Sequence, residues 1–396
     1  MRIDFLKEAK EIQAELTGIR RQLHTHPEIG NHEFQTSKLI QEFLQKNGIE
    51  VQTMLDTAVV GLLRGGRPGR TVAFRSDMDA LPVQEQTGLP FSSHEAGMMH
   101  ACGHDVHMAA LLGAAKLLSK HRDQLCGNVK FFFQPDEEGW GGAKRMIEAG
   151  CMESPHVDAV FGAHVDPNLP AGQVAVKYGN FYATSDIFTA TVHGVSTHGA
   201  EPHNGIDPIV VGAQIVMALQ TIPSRRMPPA EPCVLSLGEF HCGNRFSIIS
   251  GEAKIVGQYR VFGTKNREKI NQLVPQVIHG VAEANGATVD LDITYGYSGI
   301  VNHDDATDLA ARSVRQLLGE ENLITYREPT MLTEDFGYFI EHVTGSFYHI
   351  GVRNPDVGAV HPLHSEKFTV DESAIPKAAA LHSQIAFNFL SQEGPS

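Results

Sequence analysis

Cysteine is scarce in this chain: five residues in 396 (Cys102, Cys126, Cys151, Cys233 and Cys242), at irregular spacings. A sparse, odd set argues against a disulfide scaffold and leaves any special cysteine as a ligand or a nucleophile. Also missing is any apolar run near the roughly 18 residues that a membrane span needs. The opening "MRIDFLKEAKEIQ" is too charged for a signal peptide, so a cytoplasmic protein without a membrane partner is expected. Positive charge is short too, with 32 Lys and Arg against 46 Asp and Glu, a net charge of −14. No dense basic stripe offsets that field, which repels a phosphate backbone, so nucleic acid is not expected as a partner. Internal repeats and low-complexity tracts are absent as well. Only "SRRMPPAEP" (224–232) reads as an irregular loop and "SQEGPS" as a frayed end.

What is present is ordinary globular composition, 20% charged and 42% hydrophobic, in a chain longer than one compact core usually is. Two domains are the default for that length. Phe5, Ala9, Ile12, Leu16, Ile19 and Leu23 recur at helical spacing and predict one amphipathic opening helix, with a second over 35–47. Short β-type runs follow, "VQTML", "AVVGLL" and "TVAFRSD", then the helical "VHMAALLGAAKLLSKH", the strand "VKFFFQ", the segment "GGAKRMIEAG" and the strand "DAVFGAHV". Strands alternating with helices mean a layered α/β domain, and near-continuous apolar strands mean a sheet covered on both faces. From about 184 to 297 the order changes to β-α-β-β-α-β, the split ferredoxin-like unit. The chain then resumes short helices and strands and closes on the helical "ESAIPKAAALHSQIAFNFL". The expected fold class is therefore α/β: a mixed-sheet domain of residues 1–182 and 298–396 carrying a ferredoxin-like α+β insertion at 183–297.

The stretch "HACGHDVH" (100–107) holds three histidines, a cysteine and an aspartate. Cys102 and His104 flank Gly103 just before a helix, so both can bend toward one point, and thiolate and imidazole suit zinc and similar divalent ions. "FFFQPDEEGW" brings Asp136, Glu137 and Glu138 to the end of an apolar strand, the edge at which open α/β sheets bind ligands. Neighbouring glutamates on a turn can point apart, one toward a metal and one toward a reacting water. "DAVFGAHV" delivers His164 in the same way, and "VHPLHSEKF" holds His361 and His364 in a loop. Asp77 and Asp79 in "RSDMDALP" follow another apolar strand, where a carboxylate can orient a metal-binding histidine. Each piece alone has a bland reading: a capped turn, a solvated acidic loop, a core histidine. Four separate segments all supplying metal-ligand types make a polynuclear metal site the economical one.

In this order the chain resembles the M20 metallopeptidase family, and within it the amidohydrolase branch of hippurate hydrolase, N-acyl-amino-acid aminoacylases and auxin–amino-acid conjugate hydrolases. The matching stretches include "LHTHPEIGNHEFQTS", "AFRSDMDALPVQEQTGLPFSS", "MHACGHDVHMAALLGAA", "FFFQPDEEGWGGAKRMIEAG", "THGAEPHNGIDPI", "TEDFGYFIEHVTGSFYHIG" and "VHPLHSEKFTVDESAI". The resemblance implies a hydrolase with two divalent ions per subunit (Zn, Mn, Co or Ni), ligated by Cys102, His104, Glu138, His164 and His364. Its substrate would be an N-acyl or N-aroyl amino acid, cleaved to an acid and a free amino acid through a metal-bridged water activated by Glu137. His198 would donate to the tetrahedral oxyanion, reaching a partner subunit's site, and Arg260 would hold the substrate's carboxylate. Asp77 and Asp79 would stand behind the ligands, with Asp105, His100 and His107 as further support. The inserted domain would serve as lid and dimerisation element, in a homodimer or a dimer-based homo-oligomer.

One departure stands out. Thirteen residues before Arg260 the family pattern has Asn, followed by Pro after two apolar residues; this chain reads "FSIISGE", with Ser247 and Ser250 there instead. A hydroxyl presents fewer directed hydrogen bonds than a carboxamide, so substrate preference is affected if Ser247 contacts substrate. Competing expectations are a metallo-dipeptidase or carboxypeptidase of the same family, an enzyme using Cys102 as nucleophile, and a catalytically weak binding homologue.

Overall fold

The computed structural model describes residues 3–139 and 141–391, so all but the first residue of the tail "SQEGPS" lies outside the described residues. The chain divides into two compact units, one of residues 1–179, 301–328 and 335–396 and one of 180–300 and 329–334. The short stretch 329–334 joins the second unit by backbone pairing: Thr330 N–H donates to Phe181 C=O at 2.9 Å, and Ala183 N–H donates to Leu332 C=O at 3.0 Å.

The first unit begins with α1 (Phe5–Glu11), α2 (Gln13–Thr25), α3 (Phe34–Lys46), β1 (Glu50–Met54), β2 (Ala58–Arg64) and β3 (Arg67–Asp77). Next come α4 (His104–Lys120), β4 (Cys126–Gln134), α5 (Gly142–Glu148), β5 (Ala159–Pro170), β6 (Val174–Val176) and, at the boundary, β7 (Gly179–Tyr182). The second unit holds β8 (Asp186–His193), β9 (Thr197–His198), α6 (Pro208–Leu219), β10 (Cys233–Cys242), β11 (Ile248–Ile249), β12 (Glu252–Val261), α7 (Thr264–Ala284) and β13 (Thr288–Tyr295). After β14 (Ile300–Asn302), the first unit is completed by α8 (Asp304–Leu318), β15 (Leu323–Thr325), α9 (Gly337–Ile340), β16 (Thr344–Arg353) and α10 (Ala374–Leu390).

The opening helix is interrupted. Ile12 leaves helical geometry at φ −101°, ψ 6°, so the predicted single helix is α1 followed by α2. The apolar spacing survives the break, because Phe5, Ala9, Leu16 and Leu23 are all buried. A periodic pattern reports which face is inside and is blind to a one-residue interruption.

Eight strands of the first unit form a mixed sheet in the order β1-β2-β4-β3-β5-β16-β6-β15. Its centre is parallel, β3 beside both β4 and β5 and β5 beside β16, while β1, β2 and β6 add antiparallel pairings. Both faces are covered, as the apolar runs require. Phe131 and Phe133 of β4 enter the core that also holds residues of α4 and α10, whereas Phe132 stacks on Phe339 of α9 with ring centroids 5.5 Å apart. Alternation along a strand sends these neighbours to opposite faces.

The second unit has its own core, with Phe188, Ile215, Ile255, Tyr259 and Ile278 fully buried. Its four-stranded antiparallel sheet runs β10-β12-β8-β13, with α6 and α7 packed against it. The predicted loop at 224–232 begins instead with a π-helical turn over Ile222–Arg226. Among the described residues no helix is long and apolar enough to cross a membrane.

Candidate metal centre

Three parallel strands end at one place. β3 runs out at Asp77, β4 at Gln134 just before Glu137 and Glu138, and β5 carries His164; α4 starts there at His104. Gly103 makes the entry to α4 possible, since its φ of 87° lies in the left-handed region that favours glycine. Two other residues of the site hold that conformation without being glycine, Asp136 at φ 58° and His364 at φ 64°. Strain of this kind collects at functional sites.

Cys102, His104, Glu137 and His164 are buried, Glu138 is half-buried and His364 exposed. Cys102 Sγ lies 3.3 Å from His164 Nε2 and 3.3 Å from His364 Nε2. His364 Nε2 also lies 3.1 Å from Glu138 Oε1, an ion-pair contact rather than an aligned hydrogen bond. Three overlapping sets, Cys102/His104/His164, Cys102/Glu138/His364 and His104/Glu137/Glu138, keep their ligand atoms within 4.8 Å of one another. The structure therefore brings together all five residues expected as ligands and the expected base. His361 and His364 share a loop, and only His364 enters these sets.

The supporting contacts fix which nitrogen faces the centre. His104 Nδ1 donates to the Asp79 backbone carbonyl at 2.8 Å, so its buried Nε2 faces inward, where it has no hydrogen-bond partner. His164 Nδ1 donates to the Val165 carbonyl at 2.8 Å, again presenting Nε2. A metal-binding histidine is typically oriented through its other ring nitrogen in this way. Asp79 works by its main chain here, while its Oδ2 accepts the Glu138 N–H at 2.9 Å. Asp77 turns to His107, expected as support: Oδ1 accepts from His107 Nδ1 at 2.7 Å, and His107 Nε2 accepts the Val165 N–H at 2.9 Å.

Electrostatics give the centre an appetite for cations. Burial alone would lower the pKa of His104, but Asp77, Asp79 and Glu138 around it push it up to about 10. Burial, with Glu138 and Glu137 facing it, pushes the Cys102 thiol well above its ordinary value. A nucleophilic cysteine needs the opposite environment, so a thiolate at Cys102 calls for a bound cation. The unpartnered His104 Nε2 and the chemistry of the donor set fit divalent ions.

Behind this set stand networks that the sequence did not reveal. Fully buried Arg75 donates to Gln134 Oε1 at 2.8 Å, Asp77 Oδ2 at 2.8 Å and Asp335 Oδ1 at 2.9 Å, tying the ends of β3 and β4 to the "TEDFG" segment. Arg20 pairs with Asp105 Oδ2 at 2.7 Å, and His24 Nδ1 lies 2.7 Å from the same oxygen, anchoring the first turn of α4. A charged residue inside an apolar strand, Arg75 in "TVAFRSD", was the available signal.

The other expected residues stand in the second unit. His198 is exposed on β9, its Nδ1 accepting the Ala200 N–H at 3.1 Å. Arg260 is half-buried on β12 and donates to the Met331 carbonyl at 2.6 Å and Gln258 Oε1 at 3.3 Å, both neutral oxygens. Ser247 lies beside β11, its carbonyl accepting the Gly199 N–H at 2.8 Å, and Ser250 Oγ donates to the Glu252 carbonyl at 3.2 Å.

A mixed α/β sheet that gathers a thiol, imidazoles and paired carboxylates at its parallel strand ends has the make-up of a metallohydrolase. The chain belongs to peptidase family M20/M25/M40, whose profile matches residues 73–388, and it is a hydrolase acting on amide bonds. It is 40% identical over 387 residues to thermostable carboxypeptidase 1 of Saccharolobus solfataricus, covering 96% of this chain and 97% of that one. With the N-acyl-L-amino acid amidohydrolase of Geobacillus stearothermophilus it shares 41% identity over 297 residues, 74% of this chain and 80% of the other. A crystal structure of a dinuclear metal-binding M20 peptidase from Bacillus subtilis superposes with a TM-score of 0.84 at 32% identity, over 96% of this chain and 99% of that one.

Proposed function

We propose that the protein is a metal-dependent amidohydrolase that cleaves N-acyl or N-aroyl amino acids to a carboxylic acid and a free amino acid. The observation that carries this reading is the convergence of Cys102, His104, Glu138, His164 and His364 with the buried Glu137 beside them. Those five would hold two divalent ions, zinc by donor type, with Mn, Co or Ni also suited to the set. When bound, such a pair lowers the pKa of water and polarises an amide carbonyl. Glu137 takes the proton of the attacking water and hands it to the leaving amine nitrogen. Asp79 keeps His104 in register through its backbone carbonyl, and Asp77 holds His107 through its carboxylate Oδ1.

In the second unit His198 would donate to the developing oxyanion and Arg260 would grip the substrate's carboxylate, with Ser247 adjusting preference. The β-α-β-β-α-β unit is read as a ferredoxin-like lid and dimerisation element of a cytoplasmic homodimer.

Glu137→Gln is expected to lower kcat by at least about a hundredfold, the usual range for a lost general base, while metal content measured by mass spectrometry stays at wild-type level. Residual turnover near wild type would remove Glu137 from its role. The carboxypeptidase name of the Saccharolobus relative supports a second reading, with peptides as substrates. Amino-acid release from acetyl-, benzoyl- and indoleacetyl-amino acids beside dipeptides, before and after metal restoration, separates the two.

A further inference from the structure

The residues expected as ligands are not held alike. α4 is buried from His104 to Ala115 and β5 from Ala159 past His164, so the core itself fixes those two histidines. His364 lies in 360–373, a stretch with neither helix nor strand, and holds its left-handed backbone there. Two backbone hydrogen bonds fasten this limb: His364 N–H donates to the Ala101 carbonyl at 2.8 Å, and Gln86 N–H donates to the Glu366 carbonyl at 2.7 Å. The second bond comes from 82–98, which also lacks helix and strand, so it is as firm as whatever holds Glu85 and Gln86. α2 supplies the hold. Fully buried His24 stands between two carboxylates, Nδ1 at 2.7 Å from Asp105 Oδ2 and Nε2 at 3.3 Å from Glu85 Oε1. Acceptors on both sides call for a proton on each ring nitrogen. Burial and the neighbouring Arg20 lower the His24 pKa, but Asp105 and Glu85 outweigh them and raise it above its ordinary value. Within its own loop Glu85 takes the Thr87 hydroxyl and, at 2.6 Å, the Ser93 N–H. Arg21, also on α2, grips Glu372 at the end of the limb, Nε at 2.9 Å from Oε1 and Nη2 at 2.6 Å from Oε2. Contacts thus run unbroken from Asp105, next to His104, through His24, Glu85 and Gln86 to Glu366, two residues past His364. Burying an imidazolium between carboxylates costs desolvation, so its use here points to geometry rather than stability.

We propose that His24 is a positioning residue of the metal centre: through Glu85 it holds the His364 limb at its distance from His104, and so governs the ion that Cys102, Glu138 and His364 would take. The set of Cys102, His104 and His164 depends on the core instead. Without His24, Asp105 keeps Arg20 at 2.7 Å and α4 stays in place, whereas Glu85 is left with partners from its own loop alone. The loop is therefore the end that gives. This role rests on the two-ion reading of the site and is independent of which amide is cleaved.

The test is cobalt binding at graded free concentrations, with ion content by mass spectrometry, together with amide exchange of the metal-free chain, in wild type, His24→Leu and Glu85→Gln. Wild type is expected to take two ions. His24→Leu should keep one and bind the other at least about tenfold more weakly, the low end for a lost outer-shell partner. Glu85→Gln keeps the shape, disturbs only the loop end and shifts the same ion by less. In metal-free His24→Leu the amides of Gln86 and His364 should exchange faster, while those of α4 keep the rates of the metal-free wild type. A merely structural histidine would weaken both ions alike and speed exchange in α4 too; that result, or two ions bound as in wild type, overturns the proposal. Should His24→Leu not fold, the same readouts in Glu85→Gln decide. Should wild type take fewer than two ions, the two-ion reading fails by itself, and exchange decides about His24: acceleration confined to Gln86 and His364 upholds the brace, and unchanged rates end it.

Discussion

Glu33 lies outside the expected ligand set and braces the turn that leads into it. Its carboxylate is fully buried; Oε1 accepts the Asp136 N–H at 3.1 Å and Oε2 the Thr57 hydroxyl at 2.8 Å. It thereby supports the left-handed Asp136 that sets up Glu137 and Glu138. Burial outweighs those hydrogen bonds and pushes the Glu33 carboxyl from its ordinary 4.5 up to about 7. Between those values the folded chain binds more protons at this site than the unfolded one, so the contribution of Glu33 to stability falls as pH rises through that window and levels off above it. The span corresponds to about 3 kcal/mol. Glu33→Gln removes the titration and keeps the shape. Urea midpoints from pH 5 to 8 should show the variant gaining on the wild type as pH rises, and a gap independent of pH would count against the assignment.

At the scale of elements, the start of α4 decides whether Cys102 and His104 can face one point. A Cβ on Gly103 would stand 2.5 Å from Val165 Cγ2, and Val165 follows the ligand-type His164 on β5. Gly103→Ala should therefore cost about 1–3 kcal/mol of stability and, by moving the turn against β5, weaken metal binding at least about tenfold. Gly88→Ala is the control, with φ +69° and nothing within 4 Å of its Cβ. Equilibrium dialysis giving both variants the same metal affinity would remove the special role of the turn. The local nature of this turn explains why the site was legible in sequence: Cys102, His104, Glu138 and His164 are ligand-type residues standing at the ends of apolar strands or the start of a helix. What supports them was not legible. Arg75 meets Asp335 across 260 residues and Glu33 meets Thr57 across 24, distances over which no local pattern operates. The elements follow the same divide. Long periodic segments such as α4 and α10 were readable, while the kink at Ile12 and the three-residue strands β6 and β15 carry too little periodicity to be read.

At the scale of the molecule, the described residues form two separate buried apolar clusters, one around α4, α10 and the eight-stranded sheet and one around α6, α7 and β8, β12. The residues expected as metal ligands all belong to the first unit. Ions bound there would stabilise that unit by mass action, about 4 kcal/mol when the free ion stands a thousandfold above its Kd. Removing them would return Cys102 to the thiol form that its burial favours and take a counter-charge from the neighbouring carboxylates, whereas Asp77 keeps its 2.8 Å pairing with Arg75. Stability need not be uniform along a chain, and each cluster can open on its own. Chelation should therefore speed hydrogen exchange at the amides of β4 and α4, while β8 and β12 keep their protection. Restoring Zn or Mn should reverse the change. Protection lost to the same degree in both clusters would mean that the two cores unfold together, and that the metal centre holds the whole chain rather than one unit of it.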